Sequence, residues 1–193
     1  MALTLITAPA LEPVTLADAR AQCRVDAADT SEDALIALYI KAARAAAEHI
    51  LGRVLITQTW EQTLDAFPAG EIRLGKAQAL SIVSVKYLDA TGALQTLAPA
   101  AYYLDAATPP GWLLPAEGYS WPATDDVVNA VRIQFTAGYG PAADSVPSNI
   151  TAWILLTAAT MYAQREALDM NGRASALPER FVDRLLDAER VYG

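Results

Sequence analysis

Apolar residues recur at helical spacing near both ends of the chain and at alternate positions in its middle. From Ile36 to Ile50 they return every three or four positions, with Lys41 and Arg44 on the opposite face. Gly52 follows this stretch, where a residue in the left-handed conformation commonly ends a helix. The spacing therefore predicts a long amphipathic helix that ends beside Gly52.

Capping signals and proline positions predict three more helices. Thr15 and Asp18 have the spacing of a capping box, in which each side chain bonds to the other residue's backbone N–H, so a helix is expected over 16–24. Another apolar stripe at helical spacing follows Pro147, and Pro178 suits the first turn of a final helix. The four helices therefore form two pairs, one toward each end of the chain.

The middle of the chain has the alternating pattern of strands with one buried face. The segment 89–92 (DATG) between two of these patterns suits a hairpin turn, with glycine at the position that needs a positive φ. Proline and glycine between the other strands favour an antiparallel sheet over alternating strands and helices. Strands are predicted over 54–64, 72–74, 82–88, 93–97, 102–105, 112–114 and 127–136.

The order helix, helix, sheet, helix, helix predicts an α+β fold. None of the helices could bury its apolar stripe alone, so we expect a four-helix bundle formed by the N- and C-terminal helices, with an inserted small antiparallel β region. This gives three segments. Residues 1–53 hold the N-terminal helices of the bundle, 54–145 the inserted β region, and 146–193 the helices that complete the bundle.

The charge balance argues against a surface that grips nucleic acid. The formal net charge is -8, and the chain has 14 Lys and Arg residues without an evident cluster. Tight binding of phosphates normally needs several clustered cations. Hydrophobic residues make up 53% of the chain, an excess that fits either subunit contacts or simply a high alanine content.

Few residues could support catalysis. Cys23 is the only cysteine and His49 the only histidine, which leaves little material for a zinc site, a catalytic triad or a Cys–His pair. The loop carboxylates Asp125 and Asp126 could serve a small metal-dependent hydrolase, although a solvated acidic surface is the simpler interpretation. We therefore expect no enzyme activity, no catalytic residues, no cofactor and no metal site.

The location of the protein is constrained by further features of the sequence. A single cysteine allows no intrachain disulfide, and the N-terminus lacks the basic region of a signal peptide. No apolar run has the length of about 18 to 20 residues that spans a bilayer. We expect a soluble protein that is made in the cytoplasm and has no membrane partner.

Short motifs follow one another in a defined order. They are EPVTLADA at 12–19, RVD at 24–26, GRVLITQTW at 52–60, SIVSVKYLD at 81–89, WP at 121–122, AGYG at 137–140, VP at 146–147, and the helix with Tyr162 and Arg165. In this order they resemble the head-tail connector proteins, also called adaptor or neck proteins, of tailed phages, prophages and gene transfer agents. The resemblance covers about residues 11–167, and the remainder matches only as a terminal helix.

The resemblance implies a structural component of the virion. Proteins of this family form a ring, usually of twelve copies, that joins the portal to a stopper or tail protein and lines the channel for double-stranded DNA. The expected partners are therefore other copies of the chain, the portal, a stopper or tail protein, and passing DNA bound without sequence specificity. The expected location is the head-tail neck of the virion, with the host cytoplasm as the place of assembly.

The family uses its C-terminal segment for portal docking, which suggests docking residues here by analogy. They are Phe181, Leu185, Leu186 and Tyr192. The alternative is that these residues only complete the bundle. If they dock, deletion of 178–193 is expected to leave a folded chain that no longer binds the portal. Another phage neck or tail-completion protein is the alternative function within the same class.

Overall fold

The computed structural model describes residues 1–165 and 184–191. The chain divides into two compact units. The sheet unit consists of Met1–Ala10 and Thr57–Tyr139, and the helical unit of Leu11–Ile56 and Gly140–Gly193. The expected segment boundaries were 53/54 and 145/146, so residues 54–56 and 140–145 lie with the helices, and residues 1–10 lie with the strands.

The helical unit contains α1 (Leu16–Cys23), α2 (Asp33–Leu51), α3 (Ser148–Ala163) and a helical segment at 184–187. The predicted capping box is present, because Asp18 N–H donates to Thr15 Oγ1 at 3.1 Å and Thr15 N–H donates to the Asp18 carboxylate at 3.3 Å. Gly52 ends α2 with φ +66°, as predicted. These local signals are therefore confirmed.

Helices from the two ends of the chain pack on each other within this unit. α2 packs on α3, and α1 contacts both. Each of the two longer helices contributes a row of buried residues at helical spacing, and the extended residues after α2 add to the same core. The buried residues are Ile36, Ile40, Ala43, Ala47, Leu51, Val54, Leu55, Ile56, Ile150, Trp153, Ile154, Ala158 and Leu186.

The sheet unit contains two antiparallel sheets. The strands are β1 (Ala2–Thr7), β2 (Gln58–Leu64), β3 (Ile72–Arg73), β4 (Ala79–Leu88), β5 (Leu94–Thr96), β6 (Tyr102–Asp105), β7 (Trp112–Pro115) and β8 (Val131–Ala137). One sheet has the order β1-β2-β8-β4-β5, and the other has the order β3-β7-β6. The predicted hairpin joins β4 to β5, with Gly92 at φ +77°.

The inner face of the five-stranded sheet forms a core of its own. Val131, Ile133 and Phe135 of β8 are fully buried. Gln62 of β2 is also fully buried, and its amide donates to Arg73 O at 3.0 Å and accepts from Gly75 N–H at 2.8 Å. The buried amide therefore has hydrogen-bond partners for both its N–H and its oxygen, and it links β2 to the backbone at the end of β3 and just after it.

The predicted fold class was wrong. The described residues form two antiparallel sheets with eight strands in addition to the helices, and the protein is not a four-helix bundle with a small β insert. α1 has only eight residues, and the described part of the last helix spans 184–187. Strand β1 at the N-terminus was not predicted, and it extends the sheet by pairing with β2. The two sheets bury apolar faces of their own, so this part of the chain is a folding unit with its own core.

Candidate functional site

The residues expected to dock on the portal have different positions in the fold. Phe181 and Tyr192 lie outside the described residues. Leu186 is fully buried, and Leu185 is half-buried. The backbone carbonyl of Leu185 accepts a hydrogen bond of 2.7 Å from the side-chain amide of Asn149 on α3. Leu186 therefore contributes to the core of the helical unit.

The segment 184–191 is also held against the end of α2. Val191 N–H donates to Leu51 O at 2.9 Å. A Cβ atom at Gly52 would lie 3.3 Å from Val191 O, so the absence of a side chain allows this close approach. The exposed residues of this segment include Arg184 and Asp187. Its accessible surface therefore offers charged groups to a partner.

A charged cluster ties the end of α3 to the start of α2. The Tyr162 hydroxyl donates to Glu32 Oε2, and Arg165 Nη2 lies 2.7 Å from Glu32 Oε1. The Arg165 guanidinium also lies over the Tyr162 ring, 4.7 Å from its centroid. The hydrogen bond from Tyr162, followed by that from Arg165, lowers the pKa of Glu32. The carboxylate therefore stays ionised and holds both partners in place.

Two further ion-pair networks stabilise the N-terminal part of the helical unit. Arg20 of α1 forms a two-pronged ion pair with Asp33 at the first turn of α2. Arg44 bonds to Glu12 at 2.6 Å and to Glu48 at 2.9 Å. The 12–19 motif is thus joined to α2 through Glu12. These contacts fix the relative positions of α1, α2 and the chain that leads into them.

A shallow pocket of about 330 Å³ lies in the same unit. Its lining is mostly apolar and includes Leu11, Leu16 and Ile40, together with the charged residues Glu12 and Lys41. A mostly apolar pocket of this kind can accept a side chain of a partner protein.

The residues considered for catalysis are not brought together as a site. In the part of the chain that the structure describes, no group of three His, Cys, Asp or Glu residues could hold a metal ion. The Asp125 carboxylate accepts a hydrogen bond from the backbone of Asp126. Burial raises the pKa of the Cys23 thiol, which lowers its thiolate fraction, and His49 is exposed on α2. Nucleophilic catalysis needs the opposite shift at a cysteine.

The outer face of the five-stranded sheet is polar, and its side chains form lateral rows. Lys86 of β4 lies directly opposite Arg132 of β8, and Thr63 of β2 lies on the other side of Arg132. In the next row, Gln134 Nε2 donates to Glu61 Oε2 at 2.9 Å. Lys86 and Arg132 both occupy polar positions of predicted strands, but the sequence pattern does not indicate that they lie opposite each other. Their pairing depends on the strand register, which the sequence pattern leaves open.

Within residues 1–165 and 184–191, no helix is both long and apolar enough to cross a membrane.

The family comparison supports the resemblance that the motifs suggested. Residues 13–88 match the sequence model described as phage gp6-like head-tail connector protein. This stretch includes the motifs at 24–26 and 52–60 and nearly all of those at 12–19 and 81–89. No curated protein matches the chain.

Solved structures of gene transfer agent (GTA) particles are similar over the whole chain. The chain resembles one in "Neck of empty GTA particle computed with C6 symmetry", with a TM-score of 0.82 and 26% identity over 100% of this chain and 97% of that chain. It resembles one in "Virion of native gene transfer agent (GTA) particle" with a TM-score of 0.81, 26% identity and the same coverage. It also resembles a chain in "Neck of native GTA particle computed with C12 symmetry", with a TM-score of 0.73, 25% identity and the same coverage.

Proposed function

We propose that this chain, a head-tail connector protein, is one subunit of a ring in the neck of the virion. The observation that carries this function is the whole-length similarity to a chain of a GTA neck, with a TM-score of 0.82 over 97% of that chain. The family match of residues 13–88 supports the same conclusion independently of the tertiary structure. The role is structural, and the ring holds twelve copies.

The helical unit suits the body of such a ring. A ring of identical subunits needs head-to-tail contacts that close on themselves, so each subunit must keep a fixed shape under load. The cluster of Glu32, Tyr162 and Arg165 and the ion pair of Arg20 with Asp33 brace α1, α2 and α3 against one another. These contacts would preserve the angle between neighbouring subunits while DNA passes.

We further propose that the ring lines the DNA channel. The net charge of -8 on each copy makes the assembled ring strongly acidic. A wall that bound phosphates firmly would slow DNA during packaging and ejection, whereas an acidic wall repels it. The charge of the chain is therefore compatible with passage of DNA without sequence-specific binding.

The ring is proposed to join the portal on one side and a stopper or tail protein on the other. The C-terminal segment remains our candidate for the portal contact. Because Leu186 is buried in the helical unit, the exposed residues Arg184 and Asp187 are better candidates in this segment for contact with a portal subunit. A structural role without catalysis is favoured by the raised pKa of Cys23 and the exposure of His49.

The proposal is tested by co-expressing the full chain with the portal and the other neck proteins of the same genome. Electron microscopy of the purified complex is expected to reveal a ring of this protein against the portal, with twelvefold symmetry and an open channel. Mass-spectrometric cross-links are expected between the 184–191 segment and the portal. A ring that lies on the distal side of another neck protein would instead identify a stopper or tail-completion protein. Failure to form any ring or complex would contradict the proposed function.

A further inference from the structure

Two cations lie opposite each other on the outer face of the five-stranded sheet. Lys86 of β4 and Arg132 of β8 are register partners, and both side chains are exposed. Like charges directly opposite each other on neighbouring antiparallel strands destabilise a sheet. Neither residue takes part in any ion pair among the described residues. The isolated chain therefore bears a repulsion that an anionic partner would relieve.

The side chains around this pair leave it accessible. Thr63 and Thr96 flank it in the same row, on β2 and β5. The carboxylate in the next row, Glu61, accepts a hydrogen bond from Gln134. In the row after that, the hydroxyls of Ser81 and Thr136 lie 2.7 Å apart. The side chains around the pair are thus polar, and both cations are exposed among them.

The charge of the rest of the molecule indicates what could cover this pair. In residues 1–10 and 57–139 there are eight Asp and Glu residues against four Lys and Arg, and the whole chain has 22 against 14. Lys76, another of these four cations, lies 4.6 Å over the Trp60 ring. A second copy of this chain therefore presents an excess of carboxylates, which is complementary to Lys86 and Arg132.

We propose that Lys86 and Arg132 dock on a carboxylate-bearing surface of an adjacent copy of this chain. The proposal rests on the proposed ring, because only an assembled ring brings copies next to each other. The Arg132 guanidinium can bind a carboxylate through two parallel hydrogen bonds, and the Lys86 ammonium adds a compact charge beside it. Two cations on a chain of net charge -8 are too few to hold the DNA backbone, which makes a protein carboxylate the better partner.

Cross-linking of mixed rings tests this contact directly. Rings are assembled with the portal from equal amounts of isotopically light and heavy full-length chains, and are treated with a carbodiimide that joins amines to carboxylates without a spacer. Lys86 is expected in cross-linked peptide pairs that combine a light chain with a heavy one. Rings in which Lys86 cross-links only within one isotope, only to the portal, or not at all would overturn the proposal.

A charge reversal separates this contact from a structural role. In Lys86→Glu the new carboxylate lies opposite Arg132, so the isolated chain is expected to unfold at a higher temperature while ring assembly falls about tenfold, equivalent to about 1.4 kcal/mol. Arg73→Glu, an exposed cation on β3, is the control for the change in net charge. Unchanged assembly of Lys86→Glu would overturn the docking proposal. Absence of rings from the wild-type chain would instead defeat the proposed function itself.

Discussion

The hydroxyl of Tyr162 donates a hydrogen bond to the carboxylate of Glu32, although the two residues are 130 positions apart in the chain. Glu32 directly precedes α2, and Tyr162 lies in the last turn of α3. Arg165 binds the same carboxylate. The helical unit consists of two segments of the chain, and most of the sheet unit lies between them in sequence. The contact therefore joins the first segment to the second.

Replacing Tyr162 by Phe is expected to lower the unfolding temperature slightly, because the ring and its contact with Arg165 remain while the hydrogen bond to Glu32 is lost. The pKa of Glu32 is lowered in the folded chain, first by Tyr162 and then by Arg165. The stability from this carboxylate is thus present above its ordinary pKa and is lost as the pH falls through the lowered value.

The difference between wild type and Tyr162→Phe should therefore be largest near neutral pH and should shrink in acid. Thermal unfolding followed by circular dichroism at several pH values measures it. Tyr39→Phe, on α2, removes a tyrosine hydroxyl that does not contact Glu32 and serves as the control. A difference that grows as the pH falls would contradict the assignment to the Glu32 carboxylate.

Replacing Gln62 by Leu is expected to destabilise the sheet unit by about 1–3 kcal/mol. The substitution removes the hydrogen bonds that the Gln62 amide makes to Arg73 O and Gly75 N–H, and a typical hydrogen bond contributes about 0.5–1.5 kcal/mol. Urea unfolding followed by tryptophan fluorescence measures the loss. Gln134→Leu is the matched control, because Gln134 lies on the polar outer face and is only half-buried. Equal losses of unfolding free energy in the two variants would show that the hydrogen bonds of the Gln62 amide do not stabilise the sheet unit.

Replacing Leu186 by Ala is expected to cost about 2–4 kcal/mol, because it leaves a cavity at a fully buried position. The free energy of unfolding from urea denaturation is the measurement. Leu38→Ala is the control, since the Leu38 side chain is 58% exposed. A negligible cost would place Leu186 outside the folded core. By the same reasoning, deletion of 178–193 should itself destabilise the chain, so point variants at Arg184 and Asp187 are better tests of portal binding.

Replacing Asp89 by Asn should alter how stability depends on pH. Hydrogen bonds from Thr91, then from Gln95, lower the pKa of Asp89 to about 2. Because the folded pKa is lowered, the stabilisation by this carboxylate is complete above the ordinary aspartate pKa and is lost as the pH falls toward 2. The wild type should unfold at a higher temperature than Asp89→Asn at pH 6, and the two should converge near pH 2. Asp126→Asn, in an exposed loop, should show no such convergence.

Local features of the fold could be predicted from the sequence because they depend on neighbours in the chain. The capping box of Thr15 and Asp18, the end of α2 at Gly52 and the hairpin turn at Gly92 were all predicted and are all present. Strand β6 was predicted with the bounds that the structure has. Each of these rests on hydrogen bonds or dihedral angles within a few residues.

Long-range pairing could not be predicted in the same way. Strand β1 forms because Leu3 pairs with Gln62 and Leu5 with Trp60, and six residues near a chain end give little periodic signal of their own. Two irregularities in β4 also change which residues share a face. Because of them Ser81, Ser84 and Lys86 follow one another opposite Thr136, Gln134 and Arg132. A simple period of two would have placed Ser81 on the other face.

By itself, the sequence determined α1, α2 and α3, most of the strands, the acidic charge and the motifs that resemble head-tail connector proteins. These properties depend on short segments of the chain, because capping, hydrophobic spacing and residue type act locally. Only the tertiary structure decided that two sheets form a folding unit of their own, that Leu186 is buried and that Lys86 lies opposite Arg132. Those outcomes depend on which distant strands and helices bury one another's apolar faces, and a local pattern does not specify its partner.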